Sequence, residues 1–224
     1  MNDRSPKKLF GHRVGVLALT LTTALSLIPA GPAHAAQVDL TAFLNNVGIQ
    51  QSPAQTNADF DGGGYAYSAA ALQLGDPVDG YDGVEPGDQI SAGGFTFTWP
   101  QRPEGATDNV LTFGQTIPVA AASGATKLGL LGTSVQGAGT GTFTLNYSYT
   151  DGNGVVQNTS VTKSVTFSDW TRGLLGDEAL HANETVVLKS RFRGFSGSSQ
   201  PVFFFTTPHV FLSTVTLDPS MTLE

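Results

Sequence analysis

The sequence predicts an all-β fold, an antiparallel β-sandwich of jelly-roll type, and three features carry that prediction. Apolar residues recur at every second position in several stretches, the period of a strand with one face turned inward. Phe95, Phe97 and Trp99 alternate with threonines, and Phe143, Leu145, Tyr147 and Tyr149 alternate with Thr144, Asn146 and Ser148. Between such stretches stand Gly, Pro, Asn and Asp, and the 27 glycines and 12 prolines cut the chain into short extended pieces. Finally, residues 66–74, with Ala69, Ala70, Ala71 and Leu72, are the only good helix-forming stretch, long enough for one or two turns. About nine or ten strands with short turns and almost no helix fit a two-sheet sandwich.

The first 35 residues have the signature of a secretory leader. Arg4, Lys7, Lys8 and Arg13 form a basic start, residues 14–27 an apolar run, and Ala33-His34-Ala35 a small-x-small cleavage site. With them set aside, residues 36–224 form one domain, expected to be exported, with no transmembrane segment because no stretch approaches the roughly 20 apolar residues of a membrane span. Cysteine is absent, so neither a disulfide nor a lipid anchor is expected. A chain of this length buries roughly 70% of its unfolded surface and needs no covalent staple. The leader holds four of the 11 basic and one of the 18 acidic residues, leaving 7 and 17 and a formal charge of −10. Nucleic acid is therefore not an expected partner, since phosphate binding needs clustered cations and only Lys189, Arg191 and Arg193 stand close together.

In chain order, residues 38–49 pattern as a short strand and an irregular turn around Asn45-Asn46. Residues 50–59 form a polar loop that leads into Phe60-Asp61-Gly62-Gly63-Gly64-Tyr65-Ala66-Tyr67-Ser68. Three consecutive glycines are kept in a folded chain where a positive φ or a close backbone approach requires them, and Tyr65 and Tyr67 then share one face of an extended segment. In the loop of residues 76–88, Asp76, Asp79, Asp82, Glu85 and Asp88 recur at every third residue. Such carboxylates suit a calcium ion, but the loop matches no known calcium motif and reads first as a solvated acidic loop. Residues 94–100 are the clearest strand, and its period makes Trp99 a packing residue rather than a sugar platform. Residues 101–109 form a polar loop whose Arg102, Glu104, Asp108 and Asn109 suit a polyol or solvent alike.

Residues 110–119 and 125–135 pattern as strands, and Gly129 and Gly132 in the second mark a bulge or a close approach. Residues 142–150 and a returning strand with Val161, Val165 and Phe167 flank Asp151-Gly152-Asn153-Gly154, the strongest hairpin signal in the chain. Ser168-Asp169-Trp170-Thr171 closes it, and residues 172–183 form a loop or short helical turn with His181. Residues 184–193, 201–205 and 210–217 complete the set of strands.

Val38-Asp39-Leu40 with Asn45-Asn46-Val47-Gly48-Ile49, the glycine stretch 60–68, Phe95-Thr96-Phe97-Thr98-Trp99-Pro100 and Phe167-Ser168-Asp169-Trp170-Thr171 together resemble a β-sandwich module. That module occurs in secreted actinobacterial proteins, often appended to glycoside hydrolases including α-mannosidase-like enzymes; here it would stand alone after the leader. The resemblance implies accessory binding of a carbohydrate or cell-wall polymer. On that reading the ligand-binding residues are Asp61, Tyr65, Tyr81, Arg102, Asn109 and Trp170, rings to stack on a sugar and polar groups to hold its hydroxyls. The partner is a polysaccharide or cell-wall glycan, and no cofactor is expected.

The alternative is a small secreted esterase acting on lipid or sterol esters. It would have to use His181 or His209, the histidines that follow the leader, as base for a serine, and the Gly-x-Ser-x-Gly elbow is missing. His209 falls between apparent strands and reads as a turn residue. Asp61, Asp108 and Asp169 are positioned near strand ends as candidates for a glycosidase carboxylate pair, and equally as turn caps. Two histidines without cysteine make no zinc site. Asp61 has two readings, as a ligand or calcium contact and as a turn-former; the second is preferred, because Asp readily accepts a hydrogen bond from the backbone two residues on. A third reading makes the chain an envelope or interaction protein whose sandwich edges pair with a partner.

Overall fold

The computed structural model describes residues 13–22, 36–119, 125–172, 180–197 and 207–223. In its first half are β1 (Arg13–Thr22), β2 (Ala36–Gln37), a 3-10 turn (Thr41–Phe43), β3 (Ile49–Gln50), β4 (Tyr65–Ser68), helix α1 (Ala69–Leu74), β5 (Gln89–Ala92), β6 (Phe95–Thr98) and β7 (Val110–Leu111). The second half contributes β8 (Lys127–Val135), β9 (Gly139–Thr150), β10 (Val156–Phe167), β11 (Glu184–Lys189), β12 (Arg193–Phe195), β13 (His209–Thr216) and β14 (Thr222–Leu223). The fold is an all-β sandwich with a single short α-helix among the described residues.

Its centre is a sheet in the order β11-β13-β8-β1-β2, with β7 also on β1. Both faces of that sheet are covered. Leu131, Val135, Val210 and Leu212 pack with Phe60, Tyr67, Phe95, Phe97 and Trp99, which come from the β12-β4-β3 sheet, the β5-β6 hairpin and their loops, and with Trp170 from the turn after β10. Leu128, Leu130, Phe211 and Val215 pack with Leu145, Tyr147, Val165 and Phe167 of the β10-β9-β14 sheet. Alternate residues of β8 and β13 thus serve two cores, and this accounts for the unbroken burial of β8 from Leu128 to Val135, the polar Thr133 and Ser134 included. Gly129 marks a close approach: a Cβ there would stand 2.7 Å from Phe95 Cδ1, so the aromatic ring lies directly on the backbone.

Most of the expected strands are present with shifted ends. The hairpin is β9–β10, in register from Thr150↔Val156 to Gly139↔Phe167, and its turn is held by Asp151, whose Oδ1 accepts from the N–H groups of Asn153 and Val155. The aromatic strand is β6, with Phe95, Phe97 and Trp99 all buried, and helix α1 is capped by Ser68 and Gly75. The strand expected over 110–119 is shorter. It stops at Leu111, because Gly114 takes φ 82° and the Gln115 side chain accepts from Phe113 N–H and donates to Leu111 C=O. His209 is not a turn residue but the first residue of β13. The strand expected over 201–205 lies outside the described residues.

Arg13–Thr22, which the sequence reading places in the leader, forms β1. It pairs antiparallel with β8 from Arg13↔Val135 to Thr22↔Lys127, with a register shift between Val16 and Ala18. On its other side lie Val110 and Leu111 of β7 and Ala36 and Gln37 of β2. Val14, Val16, Thr20 and Thr22 are β-branched, and such residues favour a strand.

Candidate functional site

One end of the sandwich is built around the glycine stretch. Phe60 is buried, and its N–H donates to Tyr65 C=O at 2.7 Å, so the intervening residues form a tight loop. Two carboxylates fill that loop. Asp59 Oδ1 accepts from Gly62 N–H at 2.7 Å and Gly64 N–H at 3.0 Å; Asp61 Oδ1 accepts from Gly63 N–H at 2.8 Å and Tyr65 N–H at 3.1 Å. Gly62 and Gly64 have φ of 78° and 87°, where a side chain is strained. Asp61 is therefore a turn-former, bonded to the residue two positions on. Burial pushes its carboxyl above the usual carboxylate range, and the Gly63 and Tyr65 N–H bonds only partly offset it.

Beside this loop, β12 pairs with β4, placing Phe195 opposite Tyr65 and Arg193 opposite Tyr67. The Tyr65 and Phe195 rings lie 4.9 Å apart at 51°, and the Arg193 guanidinium sits 3.7 Å above the Tyr65 ring, within range of a cation–π attraction. Phe195 is 38% exposed. Ser196 N–H donates to Gly64 C=O at 2.8 Å and Gly197 N–H to Gln55 C=O at 2.9 Å. The 50–57 loop in turn donates from Gln51 Nε2 to Arg102 C=O at 3.1 Å and from Asn57 Nδ2 to Gly105 C=O at 2.9 Å. The glycine loop, the β12 end and the 101–108 loop are thus joined at one end of the molecule.

Of the six residues expected to bind, the structure brings Asp61, Tyr65 and Arg102 to this end. Arg102 also donates from Nε to Thr107 C=O at 3.2 Å. Two of the six are core residues. Asn109 is 0% exposed and accepts on Oδ1 from Asn46 Nδ2. Trp170 is 2% exposed, packed against Phe60 at 5.0 Å and Tyr67 at 5.1 Å; it stands in the turn after β10, and its polar neighbours Asp169 and Thr171 gave no local sign of that burial. Tyr81 belongs to a different loop, where its N–H and C=O bond the backbone of Asp76. That acidic loop is tied down by Lys189, whose ammonium pairs with Asp76 at 3.3 Å and with Asp79. Arg193 and Phe195 were missed, because nothing in the local pattern of residues 193–195 says which strand they join.

The family model of the AziU2-like beta-sandwich domain matches residues 34–210. The chain belongs to this family. No curated protein matches it. The matched part of this AziU2-like domain contains every residue of the loop cluster just described.

The ionisable groups of the AziU2-like domain are mostly engaged by its own backbone. Asp108 accepts from Gly48 N–H at 2.8 Å and Ile49 N–H at 3.0 Å, and burial pushes its pKa up to about 7. Asp169 accepts from the N–H groups of Gly137 and Thr171. All three candidate glycosidase carboxylates thus hold turns or loops. His209 is buried, its ring stacked 5.8 Å from Phe211, and its Nδ1 has no hydrogen-bond partner. Burial, with the positive charge of Lys189, lowers its pKa to about 4. His181 is half-buried, and its N–H donates to Glu184. Among the described residues no group of three or more His, Asp or Glu is placed to hold a metal ion, and no helix is long and apolar enough to cross a membrane.

Proposed function

We propose that this is an exported domain that binds a carbohydrate or cell-wall polymer without catalysis, through the glycine-loop end of the sandwich. The observation that carries the reading is the Tyr65–Phe195 pair with Arg193 over the Tyr65 ring, beside the Asp59–Asp61 loop. The Phe195 ring is partly exposed, and the face of an exposed aromatic ring is a surface on which a sugar ring stacks. Both turn bonds of Asp61 fall on Oδ1, which leaves Oδ2 for a sugar hydroxyl, and Arg102 stands on the adjoining loop. The site is revised from the sequence expectation: Asn109 and Trp170 are interior residues, and the exposed Phe195 with the half-buried Arg193 take their places. An accessory module of secreted actinobacterial glycoside hydrolases of the α-mannosidase type is the setting that the sequence resemblance implies.

Affinity electrophoresis against soluble polysaccharides and a glycan array test the reading. At least one polymer is expected to retard the protein. Tyr65→Ala and Phe195→Ala should each weaken that binding about tenfold, in line with the loss of one stacking contact of about 1.4 kcal/mol. No retardation by any glycan would remove the proposal.

A further inference from the structure

We propose that the outer face of the β9–β10 hairpin holds a second binding site, one that takes an uncharged, hydroxyl-rich ligand: a neutral glycan chain laid across the strands. The ligand class is the one proposed for the glycine-loop end, but the site stands on its own residues and on a different sheet.

Three observations support it. The β10-β9-β14 sheet turns Leu145, Tyr147, Val165 and Phe167 to a core, so the alternate residues face outward. The two hairpin strands, of 12 residues each, contain one charged residue, Lys163, and it belongs to the inward set, opposite Phe143. The outward face of the hairpin thus carries no charge, whereas roughly a quarter to a third of an ordinary solvated surface is charged.

Second, a depression of about 490 Å³ opens in this face, within the range of small-ligand sites. Asn146, Ser148, Val156, Asn158 and Ser160 line it, with Tyr147 and Thr159 between them. In register, Asn146 stands opposite Ser160 and Ser148 opposite Asn158, and the exposed Thr222 of β14 continues that second row on the far side of Ser148.

Third, asparagine is depleted in strands, yet two of them stand mid-strand here, diagonally across the depression. A residue kept against local preference marks function more often than folding. Ser160 Oγ donates to Asn146 Oδ1 at 2.8 Å, which fixes that amide and leaves its Nδ2 to donate. The lining also selects the ligand. It has no cation for a phosphate or carboxylate and no carboxylate for a metal or a basic peptide, and its one exposed large apolar side chain, Val156, is too little for a lipid. Amides and hydroxyls supply donors and acceptors together, as sugar hydroxyls require, and Val156 meets the C–H face of a ring.

Amide chemical-shift mapping of the full chain tests the site, with short neutral oligosaccharides of glucose, mannose, xylose and N-acetylglucosamine as probes. At least one should move the amides of residues 146–148 and 156–160. The double variant Asn146→Thr/Asn158→Thr should weaken that binding at least about tenfold, while its urea midpoint stays at or above that of the wild type, because threonine is the better strand former. If the double variant fails to fold, Asn158→Arg, which fills the depression from an exposed position, takes its place and should abolish the same shifts. Shifts confined to residues 60–65 and 193–195 would overturn the hairpin site and leave the glycine-loop site standing; shifts confined to the hairpin would do the reverse. No shift with any probe, or binding that the variants leave unchanged, overturns the proposal. Equal or tighter binding of a uronic-acid oligosaccharide would overturn the neutral-ligand assignment.

Discussion

Asp108 and His209 are buried groups with opposite pH dependences. Asp108 has its pKa raised from 3.8 to about 7, chiefly by burial. Between those values the folded chain binds the proton and the unfolded chain does not, so its contribution to stability is full below about pH 4 and is lost as pH rises through 7. His209 has its pKa lowered from 6.5 to about 4, so its contribution is full above pH 6.5 and is lost as pH falls through 4. Each shift corresponds to a few kcal/mol, and over the shared window the two slopes largely cancel. Asp108→Asn should leave stability rising with pH across pH 4–7, and His209→Leu should leave it falling. Urea midpoints at several pH values check this, and variants that run parallel to the wild type would refute it. Asp61 makes a second residue-scale case. Replacing it with Ala removes the acceptor of the Gly63 and Tyr65 N–H groups and should lower stability by about 1–2 kcal/mol. Melting with and without EDTA should give the same loss; a chelator-sensitive melt that Asp61→Ala abolishes would instead make the loop a metal site.

At the scale of elements, the contact between β8 and β6 sets a limit on sequence. A Cβ on Gly129 would meet three atoms of the Phe95 ring at 2.7 to 2.9 Å, and the ring is buried with no room to retreat. Gly129→Ala should therefore destabilise by about 1–3 kcal/mol through overpacking. Phe95→Leu in the same chain should restore part of the loss, which urea unfolding of the single and double variants would show. A Gly129→Ala chain as stable as the wild type would mean that β6 shifts freely on β8. The β9–β10 hairpin differs in kind: its outer end carries Tyr149, Val155 and Val156 exposed, and its register follows from local turn chemistry.

For the whole molecule, the decisive fact is that the central sheet has a core on each face. Leu131 is fully buried in the aromatic core on one side, and Leu131→Ala should cost about 2–5 kcal/mol by cavity formation. Tyr149→Ser, at the exposed hairpin end, should stay within about 0.5 kcal/mol of wild type; thermal unfolding of the two variants makes the comparison. The sequence by itself determined what depends on local period and turn chemistry: the all-β class, the hairpin at Asp151, the inward Phe95-Phe97-Trp99 face, the short helix at Ala69 and the turn role of Asp61. It also marked Asp61, Tyr65 and Arg102, which the structure collects at one end. Only the tertiary structure decided the rest. Burial of Trp170 and Asn109, the place of Arg193 and Phe195 beside Tyr65, and the seat of residues 13–22 against β8 all depend on pairings between segments far apart in the chain. A period of two shows that a strand has an inner and an outer face, but which strand lies beside it, and which face meets a second layer, is settled by packing.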